Sequence, residues 1–404
     1  MVALTLRRSP GRPRLLELPW HLPLEDWPDQ DFVRLPAGTH RHVVRFLDHD
    51  GEYYALKEMS TRLVQREFGN LDRLREDELP AVTLLGIATD RFDDNGEPLD
   101  SVLITRHLSY SLAYRLVFTD LSSETQRRQL IDALAVLLVR LHLGGFFWGD
   151  CSLNNILFRR DAGAIRAYVV DTETSEFHDR LSPGQRRHDL EIGLDNVAGG
   201  LYELQAEGSL SENIDPVDVI EALGDRYNAL WADLTDAEDV PVSELGRIQA
   251  RLERLNELGF DTEEYELREE SGFANFRPTV VEEGHHKRTL ERLTGIEAHE
   301  NQARRLLNAI RGYGAWLAQT EGERLPDAMM GYRWMTERWR PALDAIPSEL
   351  RARLEDAEIY HELLEHNWYL SEQAGEEVSL FEAVESYIDN VLQAHEDERH
   401  VLPE

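Results

Sequence analysis

Residues 148–174 read WGDCSLNNILFRRDAGAIRAYVVDTET. Asp150 stands five residues before Asn155, a short apolar run leads to a turn-like Asp161-Ala162-Gly163-Ala164, and a second apolar run ends on Asp171. Two β-prone runs around such turn residues predict a hairpin. A hairpin brings the chain back on itself, so Asn155 and Asp171 are expected to meet at its open end. Carboxylate and amide oxygens gathered in this way suit Mg²⁺. Transfer of a phosphoryl group from ATP needs such an ion, a lysine on the phosphates and a carboxylate near the attacking hydroxyl. The competing reading is that Asp150, Asn155 and Asp171 simply occupy turns and strand ends, where Asp and Asn are common.

Upstream, residues 31–58 read as strand, turn, strand, turn, strand, with Asp50-Gly51 a good turn dipeptide. The last of these runs, YYALKE, carries Lys57 near its end; on its own a strand lysine can equally be a solubility device. Helical spacing follows, with Val64, Phe68, Leu71 and Leu74 on one face, and Glu67 lies in this same helix. Two more strand-like runs, AVTLLGIATDRF and SVLITRHL, are split by Asp93-Asp94-Asn95-Gly96. Ser123 and Gln126 have the spacing of a capping box. The helix they would start carries an apolar stripe of Leu130, Leu134, Leu137, Leu138 and Leu141 and ends at Gly144-Gly145.

This ordered set, with His142, Gly145, Gly149, Asp150 and Asn155 in LHLGGFFWGDCSLNNILF, resembles the protein-kinase-like superfamily. In particular it resembles the bacterial lipopolysaccharide-kinase-like branch, beside the RIO and aminoglycoside phosphotransferase relatives. The resemblance implies an α+β, two-lobed fold: an antiparallel β N-lobe and hinge over 31–108 and a mainly helical C-lobe over 109–239. It implies that Asp150 positions or deprotonates the acceptor, that Asn155 and Asp171 ligate Mg²⁺, and that Lys57 meets the nucleotide phosphates with Glu67 as its ion-pair partner. Backbone groups from Thr105 through His107 to Leu108 would face adenine, and Gly38 would stand in the phosphate loop. The implied activity is an ATP- and Mg²⁺-dependent phosphotransferase acting on an unidentified hydroxyl acceptor: a small molecule, a glycan or a protein. Some features depart from the pattern. Gly38 is alone where several glycines are usual, Trp148 replaces a histidine, Asp171-Thr172-Glu173 replaces Asp-Phe-Gly, and no Ala-Pro-Glu segment follows. They motivate the alternative of a pseudokinase that senses nucleotide or acts as a scaffold through its C-terminal domain.

The 404-residue chain is long enough for two or three domains, and 42% apolar residues can fill real cores. A formal charge of −34 repels phosphate backbones and argues against general nucleic-acid binding. The exception is the start, where Arg7, Arg8, Arg12 and Arg14 read as a basic arm over 1–30. A single cysteine, Cys151, forbids an intrachain disulfide. No signal peptide is visible, and the longest apolar run, 133–139, is too short to span a bilayer. A cytoplasmic bacterial protein is the expectation.

Residues 240–404 read as mostly helical, after a possible hairpin in FDTEEYELREESGFANFRPTVV. Glu358-x-x-His361 and Glu282-x-x-His285 have the spacing of metal-binding half-motifs, but a chain with 77 acidic residues produces such spacings by chance. Trp334, Trp339 and Trp368 read as core. The segment resembles an uncharacterised domain that accompanies kinase-like regions in some bacterial proteins. With no ordered catalytic set in it, the expectation is a docking domain for the acceptor or a protein partner rather than a second enzyme.

Overall fold

A six-stranded antiparallel sheet forms the N-terminal lobe: β1 (Ala3–Leu6), β2 (Phe32–Val33), β3 (Val43–His49), β4 (Glu52–Met59), β5 (Thr83–Thr89) and, after the small hairpin β6 (Arg91–Phe92) and β7 (Pro98–Leu99), β8 (Ser101–Arg106). The spatial order is β1-β5-β8-β4-β3-β2. The computed structural model describes residues 2–7, 15–29, 32–35, 41–49, 52–119, 123–236, 238–241, 246–258, 260, 264–270, 273–279, 284–322, 325–395 and 397–398. Gly38, Arg8, Arg12, Arg14, Glu282 and the Asp50-Gly51 turn lie outside these residues. Helix α1 (Thr61–Glu76) joins β4 to β5 and buries Val64, Leu71 and Leu74 at the predicted spacing. Side chains alternate across β4. Leu56 enters a core with Trp20, Leu24, Trp27 and Ile104, and Lys57 therefore projects from the other face.

The chain's start is not wholly an arm. Ala3–Leu6 pairs with β5 in register Ala3 to Thr89, and Arg7 Nε donates to Asp72 Oδ1 at 3.0 Å. The physical reason is alternation: Val2, Leu4 and Leu6 pack against the lobe's core and cover what would be an open sheet edge.

The helical lobe follows with β9 (Ser111–Ala113), α2 (Tyr114–Thr119), α3 (Glu124–Leu143), β10 (Phe146–Phe147), β11 (Ile156–Asp161), β12 (Ala164–Val169), β13 (Glu176–Phe177), α4 (Pro183–Glu207) and α5 (Pro216–Thr235). The α3 capping box forms: Gln126 N donates to Ser123 Oγ at 3.2 Å and Ser123 N donates to Gln126 Oε1 at 3.1 Å. Gly145 ends the turn after α3 at φ +76°, with no room for a side chain, because a Cβ there would lie 2.1 Å from the His178 carbonyl oxygen. Strands β12, β11 and β9 make a three-stranded sheet in that order.

The chain divides into two units, one of Met1–Arg159 with Arg166–Leu230, the other of Arg160–Ile165 with Trp231–Arg399. The second holds β14 (Glu238–Pro241), α6 (Gly246–Glu257), the antiparallel hairpin β15 (Glu264–Glu270) and β16 (Phe273–Thr279), then α7 (His285–Thr294), α8 (Glu300–Thr320), α9 (Asp327–Trp334), α10 (Arg340–Asp344), α11 (Ser348–Arg351), α12 (Asp356–Ala374) and α13 (Leu380–Asn390). Its core gathers Leu306, Leu307, Ile310, Trp334, Trp339 and Tyr360, with the Trp339 and Tyr360 rings 4.8 Å apart. Trp368 departs from the sequence expectation and is 66% exposed. Helix α12 buries its first half, from Ala357 to Leu363, and Trp368 lies beyond that half. No described helix is long and apolar enough to cross a membrane.

Candidate active site

Lys57 leaves β4 toward two carboxylates. Its Nζ donates to Asp171 Oδ2 at 2.6 Å and to Glu67 Oε2 at 3.1 Å, with Glu173 Oε2 at 3.7 Å. Glu67 comes from the buried face of α1 and is fully buried. Burial, reinforced by the Asp171 charge, pushes the Glu67 carboxyl up to about 8, while Lys57 pulls the other way. Burial also opposes the charge on Lys57, yet Glu67 and Asp171 outweigh it and hold the amine above its ordinary value. Lys57 thus donates to both carboxylates at once, and Glu67 can accept that hydrogen bond in either of its protonation states.

The segment after β12 is held in place from several sides. Trp148 Nε1 donates to the Asp171 carbonyl at 3.0 Å, and Glu173 N donates to Asp171 Oδ1 at 3.0 Å. Asn70, one turn along α1 from Glu67, donates to the Thr172 carbonyl at 2.9 Å and the Ser175 carbonyl at 3.2 Å. His42 Nε2 lies 2.9 Å from Glu173 Oε2. Trp148, read from sequence as a departure, is thus a fully buried tether for the backbone of Asp171.

The loop before β11 presents Asp150. Asn155 Nδ2 donates to the Asp150 carbonyl at 3.1 Å and to its Oδ2 at 3.4 Å, and Asn196 Nδ2 donates to Oδ1 at 3.3 Å. The loop backbone is fixed by buried Asp189 of α4, which accepts from Trp148 N at 2.8 Å and Gly149 N at 2.7 Å. Asp189 also meets His142 Nε2 at 3.0 Å, and His142 Nδ1 lies 2.6 Å from the Tyr227 hydroxyl. His142 is therefore a fully partnered brace, as its place on the helix suggested. Cys151 is buried against Gly193, and burial raises its thiol far above the ordinary range, which suits packing and not nucleophilic chemistry.

A cleft opens beside these groups. Val44, Ala55, Val82, Leu103, Leu153 and Ile156 give it apolar walls, and Lys57, Glu67, Thr105, His107, Asn155 and Asp171 supply its polar groups. Burial, then the Arg159 charge, lowers the His107 imidazole to about 4, so its ring is neutral at physiological pH. His107 N donates to the Tyr53 carbonyl at 2.7 Å, because pairing continues past the end of β8.

The donor chemistry fits Mg²⁺. Among the described residues, Glu67, Asp171 and Glu173 form the group of acids whose ligand oxygens all lie within 4.8 Å of one another. Asn155 lines the cleft, and its amide nitrogen donates to Asp150. Hard oxygens of this kind are what the ion prefers. Glu358 and His361 do not belong to that group. Glu358 is committed to Ala162 N at 2.9 Å and Gln302 Nε2 at 2.8 Å.

A two-lobed fold, a strand lysine shared between a helix glutamate and a post-hairpin aspartate, and an Asp–Asn loop define a protein-kinase-like domain. Within that class, residues 42–194 match the lipopolysaccharide kinase (Kdo/WaaP) family, and residues 229–392 match a domain of unknown function (DUF4032). No curated protein matches the chain. Two solved structures are similar. One is titled "WaaP in complex with acyl carrier protein", at 18% identity over 56% of this chain and 89% of that one, TM-score 0.34. The other is titled "Crystal structure of aminoglycoside-3'-phosphotransferase of type VIII", at 15% identity over 58% of this chain and 95% of that one, TM-score 0.35.

Sequence reasoning missed Asp189, Asn196 and Glu173 as parts of this site. Asp189 lies on a helix that reads as an ordinary polar face, and only the fold brings it under the loop. Glu173 carried a usable signal, being two residues from Asp171 in a segment where glycine was expected.

Proposed function

We propose that the chain is an ATP- and Mg²⁺-dependent phosphotransferase that moves the γ-phosphoryl group to a hydroxyl acceptor. The observation that carries this reading is the shared lysine: Lys57 is bonded to Asp171 and Glu67 at once, at the polar side of an apolar cleft that suits a purine. Lys57 keeps its charge in this setting and can turn from Asp171 to a phosphate oxygen while Glu67 keeps hold of it. Mg²⁺ held by Asp171, Asn155 and Glu173 would neutralise charge on the phosphate oxygens as it develops. Asp150, oriented by Asn155 and Asn196, accepts the acceptor's hydroxyl proton. The acceptor oxygen then bonds to the γ-phosphorus as the bridging oxygen departs with ADP.

The test is transfer of label from γ-labelled ATP in the presence of Mg²⁺, with intact-mass analysis of the chain and of an added cell extract. A labelled product that requires Mg²⁺ is expected. Tight nucleotide binding with no transfer to water, to the chain or to any extract component would select the nucleotide-sensing alternative.

A further inference from the structure

Arg160–Ile165, the tip of the β11–β12 hairpin, belongs to the C-terminal unit, while the open ends of the same two strands run directly into Asn155 and Asp171. The tip is bound there by buried polar groups. Asp161 is fully buried and accepts from Gln302 N at 2.9 Å and Asn301 N at 3.3 Å, at the first turn of α8. Glu358 of α12 accepts from Ala162 N and from Gln302 Nε2, and Gln302 Nε2 also reaches the Arg160 carbonyl at 3.4 Å. Arg160 Nε donates to Glu398 at 2.6 Å.

The turn itself is strained. Ala162 and Gly163 both have positive φ, +52° and +78°, as a tight hairpin turn requires. Gly163 accepts this freely, whereas Ala162 carries a side chain in the left-handed region. Such a conformation persists only where the surroundings over-determine it, and here the Ala162 amide is pinned by Glu358. At the other end Val170 N donates to the Asn155 carbonyl at 3.0 Å, closing the hairpin beside the two residues that face the cleft.

We propose that Asp161, Gln302 and Glu358 are positioning residues. The C-terminal helices grip the hairpin tip and, through its two strands, set Asn155 and Asp171 at the open end. This rests on the reading of Asn155 and Asp171 as the metal-holding pair. A packing brace would need only apolar area at the tip. What the chain has there is a set of buried, directional hydrogen bonds, each fixing one geometry. A two-stranded hairpin tied at both ends transmits a displacement along its length, and the backbone amide of Val170 reports it.

The experiment uses the full chain and reads amide hydrogen exchange in Asp161→Ala and Gln302→Ala. The expected result is at least tenfold faster exchange at Val170 as well as at 160–165, with the α3 amides unchanged. The conservative Glu358→Gln, whose amide oxygen can still accept from Ala162, should leave Val170 close to wild type. Acceleration confined to 160–165 would overturn the proposal, and so would acceleration shared equally by α3. A second readout is calorimetry of ATP with and without Mg²⁺. The positioning role predicts that Asp161→Ala weakens the Mg²⁺-dependent part of binding several-fold and spares the Mg²⁺-free part. If wild type shows no Mg²⁺ dependence, the metal reading fails. The exchange at Val170 then decides the coupling by itself.

Discussion

Glu67 and Glu358 are the same residue put to opposite uses. Both are buried carboxyls, pushed up by burial to about 8 and about 7 respectively. Glu67 faces a cation, Lys57, that Asp171 also claims. Glu358 faces the Ala162 amide and the Gln302 side chain. A cation shared between two acids can turn to a phosphate without losing its charge. A backbone amide has no second position to occupy. The first arrangement suits a site where partners exchange, and the second suits a clamp that must not move.

The largest expected effect separates chemistry from clamping. Asp150→Asn should retain Mg²⁺-ATP binding and thermal stability but lose roughly 10²–10⁴-fold in turnover, the usual worth of a positioned base. Unchanged turnover would give Asp150 another role. Next comes the exchangeable pair. Lys57→Ala and Glu67→Ala should each weaken Mg²⁺-ATP use, and in a double-mutant cycle the two losses should fall short of additive by about 0.5–3 kcal/mol. Strict additivity would mean that Glu67 does not act through Lys57.

The clamp should show itself through pH. The folded-state value for Glu358 is raised to about 7 from an ordinary 4.5, so between these limits the folded state holds a proton that the unfolded chain releases. Its contribution is fully present below 4.5 and is lost as pH rises toward 7. Asp161, Glu362, Arg160 and Tyr387 also act on this carboxyl or feel its charge, so the informative quantity is the difference between wild type and Glu358→Gln. Urea unfolding of the C-terminal unit, followed by its tryptophans, should fall more steeply with pH in wild type. Parallel curves would show that Glu358 stays ionised when buried. The smallest effect is expected at the turn. Ala162→Gly removes a side chain from a left-handed residue and should raise stability by about 1 kcal/mol or less, the relieved strain being partly offset by glycine's greater freedom when unfolded. A lowered midpoint would mean that the Ala162 methyl contributes more by packing than it costs in strain.

The parts of this molecule that sequence made legible are those whose partners are close in the chain or fixed by a periodic element. Asp150 and Asn155 share one loop, Asp171 returns by one hairpin, and Lys57 and Glu67 are separated by a single strand-to-helix step. The N-terminal strand was obscured because the arginines around it suggested an arm, although Val2, Leu4 and Leu6 already alternate. Asp189 under the loop, and Gln302 and Glu358 on the hairpin tip, were not legible. Each is a polar residue on a helix, indistinguishable in sequence from a solvated one until the fold brings a distant backbone amide against it. The Glu358-x-x-His361 spacing, set aside as a product of chance, was uninformative for the same reason: spacing records which residues share a helix face and says nothing of what meets that face.

The account stands most directly on Asp171. Calorimetric titration of ATP into the full-length chain, with and without Mg²⁺, should show the ion tightening binding in wild type and leaving Asp171→Ala unaffected, with Mg²⁺-free affinity similar in the two. Equal tightening by Mg²⁺ in both proteins, or none in wild type, would contradict the assignment of this hairpin to a metal-nucleotide site.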